Sequence, residues 1–270
     1  MANPILSRPD AFTQRAPQGY PPPGYGQPQQ GYGFPQQGFG APQQMPQYGA
    51  EPTMTLDDVI AKTGITMLVL MGVAAATFVM LPPALLGPSL IVSSLVGLVT
   101  VFLVAARKKI SPALVLLYAA IEGVFIGAFS AMFAGLYQGI VPQAVMGTFA
   151  AAGCTLAAYK FFNIRVTAKF RRMIFIGTAA FAGVMLLNFV LALAGVNLGL
   201  RMGGLGLIAC LLGIGLAVAN LIVDFDDIER GIAMGAPISE SWRAAFGLVV
   251  TMVWLYTEIM RLLAILRGND

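Results

Sequence analysis

The chain has 270 residues, 57% of them hydrophobic and 10% charged, with a formal net charge of +4. A soluble chain carries about a quarter charged residues; here the apolar residues run in blocks that lipid can host and a wetted surface cannot, so a water-soluble globule is excluded. Histidine is absent, which rules out histidine-ligated zinc or iron, Ser-His-Asp triads and Cys-His nucleophiles.

Residues 1–54 are of a different material from the rest. Stretches such as "PQQGYGFPQQGFG" are rich in Pro, Gln, Gly and aromatics. They cannot bury a core, so a disordered tail is expected. Tyr20, Tyr25, Tyr32, Phe34 and Phe39 are candidate self-association stickers within it. The first apolar block starts too late for a signal peptide.

Order is expected from Thr55. "TLDD" fits a capping box, with Thr55 as N-cap and Asp58 reaching back to its amide. From Thr63 to Ala106 there is no charge, and from Ile110 to Tyr159 only Glu122. Seven spans are predicted: Gly64–Leu81, Leu85–Ala105, Ala113–Leu136, Gln143–Tyr159, Met173–Ala194, Met202–Val223 and Ala244–Leu266. "LPPALLGP" and "YQGIVPQ" mark uncharged turns between the first and second and the third and fourth. Runs such as "GTFAAAG" and "GGLGLIACLLGIGLA" predict close helix packing. Cys154 and Cys210 lie inside apolar runs and read as small core residues, with no disulfide framework.

The basic segments "RKK" (Arg107–Lys109) and "KFFNIRVTAKFRR" (Lys160–Arg172) belong in the cytoplasm by the positive-inside rule. They are topology signals and do not form a nucleic-acid surface. Seven spans then place the N-terminal tail and the loop from Asp224 to Arg243 on the cytoplasmic side and the C-terminus outside. Arg261 and Arg267 run against that last inference.

A carboxylate inside a bilayer costs about 2.5–3.5 kcal/mol on insertion scales, so the intramembrane acids are the candidate functional residues. Glu122 lies about 13 Å into the third span at 1.5 Å per residue, with Tyr118 and Ser130 on nearby faces. Glu258 lies in the seventh span, within ion-pair reach of Arg261 and on the face of Thr251. "NLIVDFDDIERG" ends the sixth span with four acids in six residues. Asn220, Asp224 and Asp227 follow i, i+4, i+7 spacing and share one helix face. Asp224 is therefore expected to be buried, and Asp226, Asp227 and Glu229 interfacial, with Asp226 and Glu229 turned to water. Aspartates at a helix C-terminus oppose the helix dipole, which argues against a purely stabilising role.

These features together resemble the Bax inhibitor-1 family, in its bacterial calcium-leak branch. "VDFDDI" resembles the family's ending of the sixth span and puts a gating aspartate at Asp224. "YTEIMRLLAIL" resembles the end of its last helix, with Arg261 on the family's arginine. "ARKKISPALVLLYA" puts Arg107 at an arginine that engages the aspartate gate, and Tyr118, Glu122, Gly123 and Gly127 resemble its third span. The resemblance spans Thr55 to the C-terminus. It implies an all-α bundle of seven transmembrane helices, six packed around the seventh, in a bacterial plasma membrane. It implies a slow, pH-modulated calcium leak, with Asp224 and Glu122 as transient calcium contacts. In the family a second aspartate, on the seventh helix, shares a proton with the first; counting back from Arg261, that position holds Thr251 here. Glu258 or Glu122 is expected to supply the missing carboxylate. No cofactor and no catalytic centre is expected. A proton-coupled carrier and a regulatory protein binding membrane proteases or other membrane partners are the alternative readings.

Overall fold

The computed structural model describes residues 52–107, 109–196 and 203–268. The expected tail lies outside the described residues up to position 51. Order begins slightly earlier than Thr55. Thr53 pairs with Pro237 in an isolated antiparallel bridge, the Met54 amide donates to Ala236 O at 2.7 Å, and the Met54 side chain is buried.

Seven helices follow among the described residues: α1 Leu56–Met80, α2 Pro83–Ala105, α3 Pro112–Leu136, α4 Ile140–Phe161, α5 Ala168–Leu193, α6 Gly203–Ala233 and α7 Glu240–Gly268. Each is long and apolar enough to cross a membrane. Their starts follow local chemistry. The Thr55–Asp58 capping box forms in both directions. Pro83 and Pro112 occupy first-turn positions, where a missing amide proton costs nothing. Gly139 caps α4 at a φ of 72°, a conformation that favours glycine.

α6 differs most from expectation. It continues ten residues past Val223, so Asp224, Asp226, Asp227 and Glu229 are helical and not part of a loop. The turn to α7 is correspondingly short, from Met234 to Ser239.

α7 buries more residues than any other described helix. α1, α3, α4 and α6 pack on it directly, while α2 rests on α3 and α5 on α6. The resemblance implied six helices around the seventh; four pack closely on it, while α2 and α5 stand further out and α5 reaches it only through side chains. The reason lies in what the outer pair can bury. α5 buries only Ile174 and Asn188, and leaves Phe175, Leu187 and Leu193 to lipid. α2 turns Ser93, Gly97, Thr100 and Val104 inward and little else.

The α1–α3 contact depends on two glycines. A Cβ on Gly123 would stand 2.7 Å from Leu70 O, and one on Gly127 2.5 Å from Ala74 O. Small residues are how helices gain dispersion contacts where lipid gives no hydrophobic drive. Tyr118 of α3 then packs edge-on against Phe246 of α7, with ring centroids 5.0 Å apart.

The alternating directions of the helices gather the start of α1 and the α2–α3, α4–α5 and α6–α7 connections at one end, which is the basic end. There Arg230 Nη2 donates to Val166 O at 2.7 Å and Lys62 Nζ to Ile238 O at 2.9 Å. At the other end Arg267 donates to Gln138 O and to Gln143 Oε1, both at 2.7 Å. Arg267 thus ties the end of α7 to the α3–α4 turn. Cys210 is buried as expected, whereas Cys154 faces outward from α4, a correction to its core assignment.

Candidate functional site

Asp224 faces α7. Its Oδ2 accepts a hydrogen bond from the Thr251 hydroxyl at 2.7 Å, and its Oδ1 lies against the α7 backbone at Gly247. The Thr251 hydroxyl has a second acceptor within reach, Gly247 O at 3.2 Å. Thr251 is buried and Asp224 half-buried. Asp224 sits about 14 Å from the α6 terminus at 1.5 Å per residue, well inside the bundle.

The neighbouring acids divide differently from the sequence expectation. Asp226 was expected to face water but is only 6% exposed. It accepts from Arg171 Nη2 at 2.8 Å and from Arg230 Nε at 2.6 Å. Arg171 also pairs with the exposed Asp227, as expected for an interfacial group. Glu229 is exposed, and accepts from the Tyr159 hydroxyl at 2.6 Å. Asn220 donates to Thr178 on α5 at 2.7 Å. Asn220 and Asp227 therefore serve α5 while Asp224 serves α7, so the shared face bridges two neighbours. The α5 arginine that neutralises Asp226 lies 55 residues away in sequence, and no local spacing could announce it.

Glu258 is paired within its own helix. Arg261 Nη1 reaches its two oxygens at 3.0 and 2.9 Å, and the side chains are 5% and 17% exposed. The Cys210 thiol donates to Glu258 O at 2.9 Å. Glu258 is seven residues beyond Thr251, about 10 Å further along α7. Glu122 points from α3 toward α2, where a Cβ on Gly97 would lie 2.8 Å from its Oε1; Tyr118 lies one helical turn earlier on the same helix. Neither glutamate meets Asp224, so neither supplies a second carboxylate to its hydrogen bond. The position opposite Asp224 is filled by a hydroxyl.

Arg107 is exposed at the end of α2, and its carbonyl accepts from Arg243 Nη2 at 3.2 Å. No ion pair joins it to Asp224 among the described residues. Among those residues, too, no three His, Cys, Asp or Glu side chains gather into a metal-type cluster. Asp224 and Glu122, the expected calcium contacts, lie on separate helices, Asp224 bonded to Thr251 of α7 and Glu122 set against Gly97 of α2.

A feature absent from the sequence reading is the pairing of buried glutamates with glycines on facing helices. Gly97 accommodates Glu122. Gly213 accommodates Glu258, whose Cδ would be 2.8 Å from an added Cβ there. The i, i+4 glycines of α3 were legible as packing residues; these isolated ones gain their meaning only from the opposing helix. The buried hydrogen bond between Ser130 and Tyr256, 2.7 Å long, is a second α3–α7 link that sequence spacing missed.

A family model described as "Bax inhibitor 1 like" matches residues 3–268. No curated protein matches the chain.

Proposed function

The chain belongs to the Bax inhibitor 1 like family, and on that premise we propose that it is a slow cation leak, for calcium above all, modulated by the protonation of Asp224. The observation that carries this reading is the Thr251–Asp224 hydrogen bond between α6 and the central helix α7. The basic end faces the cytoplasm on the positive-inside rule, and a bacterial plasma membrane is the membrane proposed.

A threonine opposite the aspartate changes the mechanism from one shared proton to a reversal of donors. With Asp224 ionised, Thr251 donates to it. With Asp224 protonated, its O–H donates to Thr251 Oγ1, and the threonine proton turns to Gly247 O, 3.2 Å away. The α6–α7 contact keeps a hydrogen bond in both states, but its charge and direction reverse. A charge-assisted bond of about 1.5–3 kcal/mol is exchanged for a neutral one of about 0.5–1.5 kcal/mol. The hydrogen bond across the joint is therefore stronger when Asp224 is charged. A passing cation meets one carboxylate at a time, which suits a leak rather than a storage site: oxygen ligands favour calcium, but tight sites need six or more of them.

Calcium uptake into proteoliposomes, at two pH values on either side of neutrality, tests the reading. Native protein is expected to pass calcium at a pH-dependent rate, and Asp224→Asn to lose the pH dependence. Equal pH dependence in both would refute it. Thr251→Asp, which restores a two-acid contact, is expected to steepen the pH response.

A further inference from the structure

A cavity of about 380 Å³ lies between α5 and α7, away from the Asp224 contact. That volume falls within the range of small-ligand sites, about 300–1,000 Å³. The cavity exists because α5 packs on α6 alone and its backbone does not approach α7. Phe181 and Trp254 bridge the gap, with ring centroids 5.7 Å apart.

Besides Thr178, whose hydroxyl accepts from Asn220, two polar features face into this aromatic space. One is the Glu258–Arg261 ion pair. The other is Asn188 on the α5 wall, which is 6% exposed and has no hydrogen-bond partner among the described residues. Its amide atoms are not enclosed: they open onto the cavity, and an unpartnered amide so placed in a native protein calls for an explanation. Nothing in the Asp224 mechanism uses it. An amide turned into a cavity beside an ion pair offers its donor and acceptor to a polar occupant.

We propose that this cavity binds a small zwitterion, a molecule carrying an ammonium and an oxyanion, at Glu258, Arg261 and Asn188, with its apolar part against Phe181 and Trp254. The charge balance selects the class. Glu258 and Arg261 already neutralise each other, so a ligand of net charge would leave one charge buried without compensation, at a cost of several kcal/mol. A zwitterion laid antiparallel to the pair gives the ammonium to Glu258 and the oxyanion to Arg261, and adds no net charge. Asn188 supplies both an N–H donor and a carbonyl acceptor. The aromatic faces suit the ammonium and its carbon skeleton.

Two sources share this chemistry. Arg261 is about 10 Å, and Asn188 about 8 Å, from the ends of their helices away from the basic loops. That depth is within reach of a lipid headgroup drawn inward between α5 and α7, or of a free amino acid entering from that side. The inference stands apart from the leak reading, since it concerns another region and another ligand class.

The test uses full-length protein in detergent with Trp242→Phe, so that Trp254 is the fluorescent reporter. The probes are short-chain phosphatidylethanolamine, free leucine and, as the net-charged control, short-chain phosphatidylglycerol. A saturable change in emission with either zwitterion, and not with phosphatidylglycerol, is expected; the lipid responding assigns the headgroup, and leucine responding assigns the free amino acid. Asn188→Leu is expected to weaken binding about tenfold, the equivalent of one hydrogen bond. Ala182→Leu fills the cavity without touching its polar groups and is expected to abolish binding; a melting curve confirms that each variant is folded. No saturable response to either zwitterion, an equal response to phosphatidylglycerol, or native binding in both folded variants would overturn the proposal.

Discussion

Replacing Thr251 by valine removes a hydroxyl and almost nothing else, because the two side chains have nearly the same shape. The hydroxyl donates to Asp224 at 2.7 Å in a place where Thr251 is 6% exposed, so water has little room to replace it. With Asp224 ionised, the loss should cost about 2 kcal/mol, the middle of the range for hydrogen bonds to charged groups. With Asp224→Asn already in place the bond is neutral to neutral, and the same replacement should cost about 1 kcal/mol. The coupling between the two positions is therefore about 1 kcal/mol, above the 0.3–0.5 kcal/mol or so within which independent sites add. Reversible unfolding in mixed micelles of the native protein, both single variants and the double variant measures it. Additivity of the two changes would mean that Thr251 does not sense the charge on Asp224, and the donor-reversal mechanism would have to be given up.

Three further outcomes follow from the packing. Gly213→Ala should destabilise by about 1–3 kcal/mol through overpacking against Glu258 and Phe181, whereas Gly72→Ala, with nothing within 4 Å, should be neutral or stabilise by up to about 1 kcal/mol; melting temperatures compare them. Gly123→Ala with Gly127→Ala pushes α3 off the α1 backbone, and should lower the yield of folded protein on size-exclusion chromatography. Arg171→Gln and Arg230→Gln should each be mild, because either arginine alone can serve Asp226. The double variant leaves that buried carboxylate unpaired and should cost about 3–5 kcal/mol, more than the sum of the single losses.

The sequence made the helices legible because hydrophobic length is a strong signal, and because prolines and a capping box mark the turns. It made Asp224 legible as an inward-facing acid, and Glu258–Arg261 as a pair, since both rest on helical spacing within one element. It failed where a partner lies on another element. Asp226 was assigned to water because its arginine from α5 leaves no local trace. Arg107 was assigned to Asp224, yet the aspartate's hydrogen bond goes to Thr251. The end of α6 is hidden from the sequence because a run of acids resembles a helix end, whereas the helix carries its acids onward as anchors for α4 and α5. The glycine sockets needed the facing side chain to be visible at all.

The helix that buries the most residues is also the last of the seven to leave the ribosome. α1, α3, α4 and α6 enter the bilayer before the partner they share exists, with the spaces for Phe246, Tyr256 and Met260 unfilled. Completion of the interior must therefore wait until the final segment inserts, whatever order the earlier pairs adopt. A ribosome stalled before α7 would leave an open collar of helices in the membrane, a natural substrate for quality-control proteolysis.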